Sequence, residues 1–227
     1  MRTKYSETVP IQYEEGRARF MDMEIAVDPR VFIPRPETEL LVSVAAGLLR
    51  EKAFKNALIL DICTGSGIVA LGVAGLIDDC RVVAADISED ALDVAKKNLE
   101  KFDGDGRIRL VRSDMFSAFG CGDKGVFDAI VSNPPYVSEG DYAGLDEWVK
   151  AEPVIALHAG KEGMDHLEIL VGQGACYLKS GGLLAVEVGY DQAGRVISLF
   201  EGCGFGGVES YRDFNGFQRV VAGWKNG

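Results

Sequence analysis

The chain has 227 residues, 47% hydrophobic and 26% charged, enough apolar material for one domain with a full core, so disorder is not the default. Its 35 acidic and 24 basic residues give a formal net charge of −11, which disfavours a broad nucleic-acid-binding surface, though a local basic patch would fit. Five cysteines without a C-x-x-C pair, and only two histidines, form no zinc pattern; no metal is expected, and the thiols are expected to be free in a reducing, cytoplasmic setting. The opening MRTKYSETVPIQYEEG lacks the apolar core of a secretory signal, and no apolar run is long enough to span a bilayer.

Residues 1–36 read as an N-terminal segment distinct from a domain over 37–227. RARFMDMEIAV (17–27) alternates apolar and polar residues around Met21 and Asp22, which predicts a short β-hairpin. Pro34 and Pro36 then hold the backbone extended, and Glu37, Thr38 and Glu39 open an apolar helix running to about Leu49. From residue 57 the pattern alternates between strand and helix. Apolar runs stand at 57–62, 81–86, 107–112, 126–132 and 182–188, with a helix over 88–102 that Ser88 caps. Such alternation predicts a parallel sheet covered on both faces. After a helix over about 191–202, VESYRD and FQRVVAGW can form an antiparallel pair at one edge, giving about seven strands.

The first of these strands runs into DICTGSG (61–67), and Gly65, Gly67 and Ala70 have the spacing of a nucleotide-binding turn. Such a turn serves NAD enzymes and methyltransferases alike, and sometimes only packing. Asp61 favours a methyltransferase: a carboxylate there would repel a pyrophosphate but suits S-adenosylmethionine, with its ammonium and sulfonium. Asp86, 19 residues beyond Gly67, can accept hydrogen bonds from both ribose hydroxyls. Asp114 can accept from the adenine amine, with Met115 and Phe116 against the ring, or it can simply cap a helix. All three acids fall at strand ends, where an open parallel sheet binds ligands.

The fourth strand of the alternating region ends in Asn133-Pro134-Pro135-Tyr136. Two prolines cannot continue a buried strand, and by themselves would read as a rigid stop. Following a DICTGSG turn, they fit a more demanding task. An amide nitrogen is a poor nucleophile because its lone pair is delocalised, so it must be held in line with the methyl donor. The Asn133 side-chain oxygen and the Pro134 carbonyl can each accept one N–H, and Tyr136 offers a flat face. Both oxygens also stabilise the positive charge that develops on nitrogen.

With PIQYEEG (10–16), FIPRPETELLV (32–42), DICTGSG, NPPY, EPVIALHAGKEGMD (152–165) and RDFNGFQRVVAG (212–223), the chain resembles the HemK/PrmC-type protein-(glutamine-N5) methyltransferases, which modify peptide-chain release factors. The resemblance runs from about Val9 to near the C-terminus. It implies a class I, seven-stranded, mostly parallel α/β fold preceded by the hairpin. It implies S-adenosylmethionine contacts at Asp61, Cys63, Thr64, Gly65, Ser66, Gly67, Asp86, Ile87, Asp114, Met115 and Asn133. It implies a glutamine amide held by Asn133 to Tyr136, with Phe32, Arg35 and Glu37 lining or closing the site; for Glu37 and Thr38 a helix N-terminus is an equal reading. Two departures stand out. Cys63 occupies a place where the family often has Gly, which could make a thiol reactive. The family's N-terminal helical domain is expected to be absent, and a partner could replace it. Two other functions remain: a nucleic-acid exocyclic-amine methyltransferase, since an aminopurine presents the same planar NH2, and a non-catalytic cofactor-binding partner. The acidic balance and the IPRPETE segment favour a protein substrate, and the intact loop and NPPY favour catalysis.

Overall fold

The computed structural model describes residues 9–227; residues 1–8 of the expected N-terminal segment lie outside the described residues. A short helix α1 (Ile11–Glu15) ends at Gly16 and leads into the expected hairpin, β1 (Arg17–Phe20) and β2 (Met23–Ala26). Its strands pair antiparallel, Arg17 opposite Ala26. Helix α2 (Pro36–Glu51) starts on a proline, whose missing N–H would have had no partner in a first turn. Its buried positions Thr38, Leu41, Val42, Ala45, Ala46 and Leu49 form one helical face. Glu39 on this helix accepts the Met21 N–H at 2.6 Å, which ties the hairpin turn to α2.

Strands and helices then alternate: β3 (Ala57–Ile62), α3 (Ile68–Leu76), β4 (Cys80–Asp86), α4 (Glu89–Phe102), β5 (Ile108–Arg112) and β6 (Phe127–Ser132). Three short helices follow, α5 (Glu139–Gly144), α6 (Glu147–Lys150) and α7 (Val154–Leu157), and then α8 (Asp165–Tyr177), β7 (Leu178–Glu187), α9 (Ala193–Gly202), β8 (Phe205–Arg212) and β9 (Gln218–Lys225). The Ser88 cap is present: its hydroxyl accepts the Ala91 N–H at 3.1 Å.

The seven-stranded sheet has the order β5-β4-β3-β6-β7-β9-β8. The last two strands pair antiparallel at one edge of the sheet, as expected: β9 lies between β7 and β8, antiparallel to both, and β8 is outermost.

Both faces are covered, and the side chains alternate between them as a pleated strand requires. Ile59, Val82, Ala84, Ala129 and Val131 face the core shared with α2, α3 and the hairpin, where Phe20, Ile25, Val31 and Ile33 are buried. Leu60, Val83, Ala85, Ile130 and Val186 face the core shared with α8 and α9. Burying Phe20 and Ile25, both fully covered, contributes about 1.5–3 kcal/mol each, so the hairpin is built onto the same core as α2. The chain proceeds from β3 outward to β5, then returns to the other side of β3 with β6. At that reversal the carboxyl ends of β3 and β6 open into a crevice. No helix among the described residues is long and apolar enough to cross a membrane.

Candidate functional site

A cleft open at its mouth lies at this reversal. Most of the residues expected to form a site converge on it. Cys63, Thr64, Gly65, Ser66, Asp86, Ile87, Asp114 and Met115 line one part, and Asn133, Pro134, Pro135, Tyr136 and Phe32 another. Asp61, Gly67, Arg35 and Glu37 do not form its wall.

The two glycines of the loop serve different needs. Gly65 has φ +56, and a Cβ there would meet nothing within 4 Å, so its backbone faces open space that a ligand can fill. Gly67 has φ +83, and its Cβ would press on Leu99 Cδ1 at 3.1 Å and Ala95 Cβ at 3.3 Å. It allows α4 to pack closely and does not itself face the cleft.

Asp61 holds the loop from beneath. Fully buried, its Oδ2 accepts the Thr64 hydroxyl at 2.6 Å and the Ala70 N–H at 3.1 Å. Burial pushes its carboxyl up to about 7 against the effect of these bonds, and the nearby Asp86 adds to the rise. Its Oδ1 is buried without a hydrogen-bond partner among the described residues. An unsatisfied buried carboxylate oxygen is costly, and a cationic group settling over the loop would offset that cost. Asp86 accepts the Gly65 N–H at 2.8 Å and the Ser88 N–H at 2.9 Å, which fixes its carboxylate at the wall with lone pairs still available. The open backbone at Gly65, the unpaired Asp61 oxygen and the fixed Asp86 carboxylate fit a ligand that combines an ammonium with a ribose.

Two expectations about this half are corrected. Phe116 turns away from the cleft into the core, stacked on Tyr177 with ring centroids 4.7 Å apart; only Met115 lines the wall. Cys63 is not a reactive thiol: burial first, then the charges of Asp86 and Asp61, push it well above its usual range. Cys63 adopts φ +60, and its thiol lies 3.9 Å from the Met115 sulfur. Asp114 is exposed at the rim. It opens a turn in which its N–H donates to Ser117 Oγ at 3.0 Å and its carbonyl accepts the Ser117 N–H at 2.9 Å.

In the other half, Asn133 Nδ2 donates to Thr38 Oγ1 at 3.0 Å, and Thr38 Oγ1 donates to Glu187 Oε2 at 2.8 Å. The Tyr136 hydroxyl donates to Glu187 Oε1 at 3.2 Å. One of the two Nδ2 hydrogens is thus engaged, and the oxygen of the Asn133 amide has no hydrogen-bond partner among the described residues. Thr38, open to a capping reading from sequence, is thus a wall residue at the first turn of α2. Gln192 anchors the loop after Tyr136, donating to the carbonyls of Tyr136 at 2.9 Å and Gly163 at 3.0 Å. Gly163, φ +70, is confined there, since a Cβ would lie 2.5 Å from the Tyr136 carbonyl oxygen.

Arg35 acts at a distance. It pairs with Glu152, whose side chain is fully buried, and Glu152 also accepts the Ile33 N–H at 3.0 Å. The Arg35 guanidinium lies over Phe32 at 4.9 Å and Trp148 at 5.4 Å. This clamp joins the IPRPETE segment to EPVIALHAGKEGMD, and Phe32, Ile155, Ala156 and Leu157 from these two segments all line the cleft. Sequence reasoning missed Glu187, Glu152, Gln192 and His166. A charged residue inside the apolar run LLAVEV was the available signal for Glu187. His166 lines the cleft with its Nδ1 buried and unpartnered among the described residues, and burial lowers its pKa.

Residues 36–151 match the methyltransferase small domain family. The chain is 36% identical over 221 residues to the release factor glutamine methyltransferase of Clostridium acetobutylicum, covering 96% of this chain and 76% of that one. It is 40% identical over 218 residues to the protein of the same name from Chlorobaculum tepidum, covering 94% and 74%. The chain belongs to the release factor glutamine methyltransferase family. It is an S-adenosylmethionine-dependent methyltransferase. Among solved structures, the release-factor-specific protein-(glutamine-N5) methyltransferase of Alicyclobacillus acidocaldarius aligns at TM-score 0.52 and 26% identity, covering 89% of this chain and all of that one. A 16S rRNA N2 G1207 methyltransferase of Thermus thermophilus aligns at TM-score 0.65 and 20% identity, covering 92% and 50%; that likeness shows the shared fold.

For this member of the family, Asp86→Ala is expected to weaken S-adenosylmethionine binding by about 1.5–3 kcal/mol, the size of a charge-assisted hydrogen bond. Titration calorimetry measures this directly, and an unchanged affinity would place the ribose elsewhere.

Proposed function

We propose that this enzyme methylates the side-chain N5 of a glutamine in a peptide-chain release factor, at the Gly-Gly-Gln loop, and that Asn133, Pro134 and Tyr136 hold the amide. The observation that carries this reading is the fixed orientation of Asn133. One hydrogen of its NH2 goes to Thr38 at 3.0 Å, and its oxygen, without a hydrogen-bond partner among the described residues, is then the acceptor available to a substrate NH2. The Pro134 carbonyl is the second acceptor. Gly65, Asp86, Asp114 and Met115 would hold the cofactor, with Asp61 beneath the loop.

Bound there, S-adenosylmethionine supplies a methyl group made electrophilic by its sulfonium. The two oxygens on the NH2 group orient the nitrogen toward that methyl and favour the positive charge that grows on it. On transfer the S–CH3 bond would break with its electron pair kept by sulfur, leaving S-adenosylhomocysteine, while the nitrogen would form the N–CH3 bond and give up one N–H proton to water at the mouth of the cleft. Phe32 and Leu157 give the cleft apolar walls that limit water. Ile155, in the wall and 54% exposed, offers an apolar contact at the mouth to the flanking peptide. The acidic balance of the chain favours a protein substrate over a polyanion.

The test offers labelled S-adenosylmethionine with a purified class 1 release factor and, separately, with ribosomal RNA, followed by mass spectrometry. A single methyl on the Gln of Gly-Gly-Gln is the expected product. Label in RNA alone would leave the catalytic turn in place and replace the substrate assignment.

A further inference from the structure

We infer that Thr38 and Glu187 form a positioning relay in which an ionised Glu187, acting through the Thr38 hydroxyl, sets which end of the Asn133 amide faces the substrate. The inference deepens the proposed glutamine methylation and rests on it for its catalytic consequence.

The argument begins with hydrogen counting. A threonine hydroxyl has one hydrogen. Thr38 gives it to Glu187 Oε2 at 2.8 Å, so toward Asn133 it can only accept, and Asn133 must turn its NH2 to it, at 3.0 Å. Glu187 Oε1 accepts from the Tyr136 hydroxyl at 3.2 Å. Both carboxylate oxygens therefore act as acceptors, the arrangement an ionised group favours. One charge thus fixes two members of the substrate-holding turn.

A proton placed on Oε2 would reverse the chain. Glu187 would then donate to Thr38, the hydroxyl hydrogen would point at Asn133, and that amide would have to present its oxygen to Thr38. The cleft would then face a donor NH2, which cannot accept an N–H from a substrate amide. The three groups come from α2, the β6 loop and the end of β7; Thr38 and Glu187 are both fully buried, so water does not compete for the bond between them, while the bonds to Asn133 and from Tyr136 are half-buried.

Glu187 titrates in a useful range. Burial raises its carboxyl to about 7, opposed by the bonds from Thr38 and Tyr136. The charged groups facing it are Glu37 on α2, which raises it further, and Arg219 on β9, which lowers it. Arg219 is itself engaged with Asp213 at 3.3 Å in the turn between β8 and β9. As pH falls through about 7 the carboxyl takes up a proton, and a proton on Oε2 is the one that reverses the chain.

The first measurement follows the Asn133 side-chain NH2 by NMR in 15N-labelled enzyme saturated with S-adenosylhomocysteine. The signal should shift with pH around a midpoint near 7, and this titration should be missing in Glu187→Gln, which keeps the shape of the side chain. A flat signal in the wild type, or the same titration in Glu187→Gln, would overturn the relay. The second measurement is turnover on a release factor. Thr38→Val should lower kcat on the order of 10-fold or more, because a misplaced amide costs orientation, with cofactor affinity retained. Thr38→Ser should restore turnover to within about 3-fold, since it returns the same hydroxyl. Equal turnover in Thr38→Val and Thr38→Ser would also defeat the inference. If the wild type leaves release-factor glutamine unmethylated, the substrate reading fails, and the NMR arm, which needs no substrate, still decides the relay.

Discussion

Asn133→Ala should lower kcat by on the order of 100-fold or more while S-adenosylmethionine still binds. The expectation follows from where Asn133 acts. In the proposed reaction its oxygen accepts an N–H that grows more acidic as the methyl arrives, so the bond strengthens on the way to the transition state. A 100-fold loss corresponds to about 2.7 kcal/mol of barrier. The residues proposed to hold the cofactor, in the DICTGSG loop, Asp86 and the Asp114–Met115 pair, line the other part of the cleft and are untouched. Single-turnover kinetics with calorimetric affinity beside it separates the two effects. Wild-type turnover in this variant would remove the NPPY turn from the chemistry, and a lost affinity with unchanged turnover at saturation would make Asn133 a cofactor ligand only.

The second large effect is on stability. Arg35→Ala should cost about 2–3 kcal/mol, because it leaves Glu152 without its cation in a buried place. The Glu152 side chain is fully buried, while 23% of the Arg35 side chain is exposed, which sets the value below that for a wholly enclosed pair. The guanidinium contacts with Phe32 and Trp148 are lost as well. Denaturant unfolding measures the change. Arg35→Ala/Glu152→Gln should recover part of it, since the second change removes the stranded charge yet can still accept the Ile33 N–H. A single variant within about 0.5 kcal/mol of wild type would show that the clamp does not hold the two segments together.

Much of the binding half was legible because it is local. The DICTGSG turn, the Ser88 cap and the acids at strand ends depend on residues adjacent in the chain, and the alternating apolar runs marked nearly every strand of the sheet. The turn of the hairpin at Met21 followed from period-two alternation. Where these expectations strayed, a neighbour from far along the chain was responsible. Phe116 faces Tyr177 in the core instead of the cleft, and Gly67 serves the packing of α4. The Cys63 thiol is quieted by burial and by two carboxylates.

The sequence by itself determined the sheet of strands and helices, the glycine loop and the NPPY turn, because each is written in a short window whose backbone demands specific residues. Only the tertiary structure decided how Asn133 is aimed. Thr38 and Glu187 are 149 positions apart and Ile33 and Glu152 are 119 apart, and no local pattern links them. Their pairing follows from burial: once the sheet and α2 bring these polar groups together away from water, each must find its hydrogen-bond partner among the others.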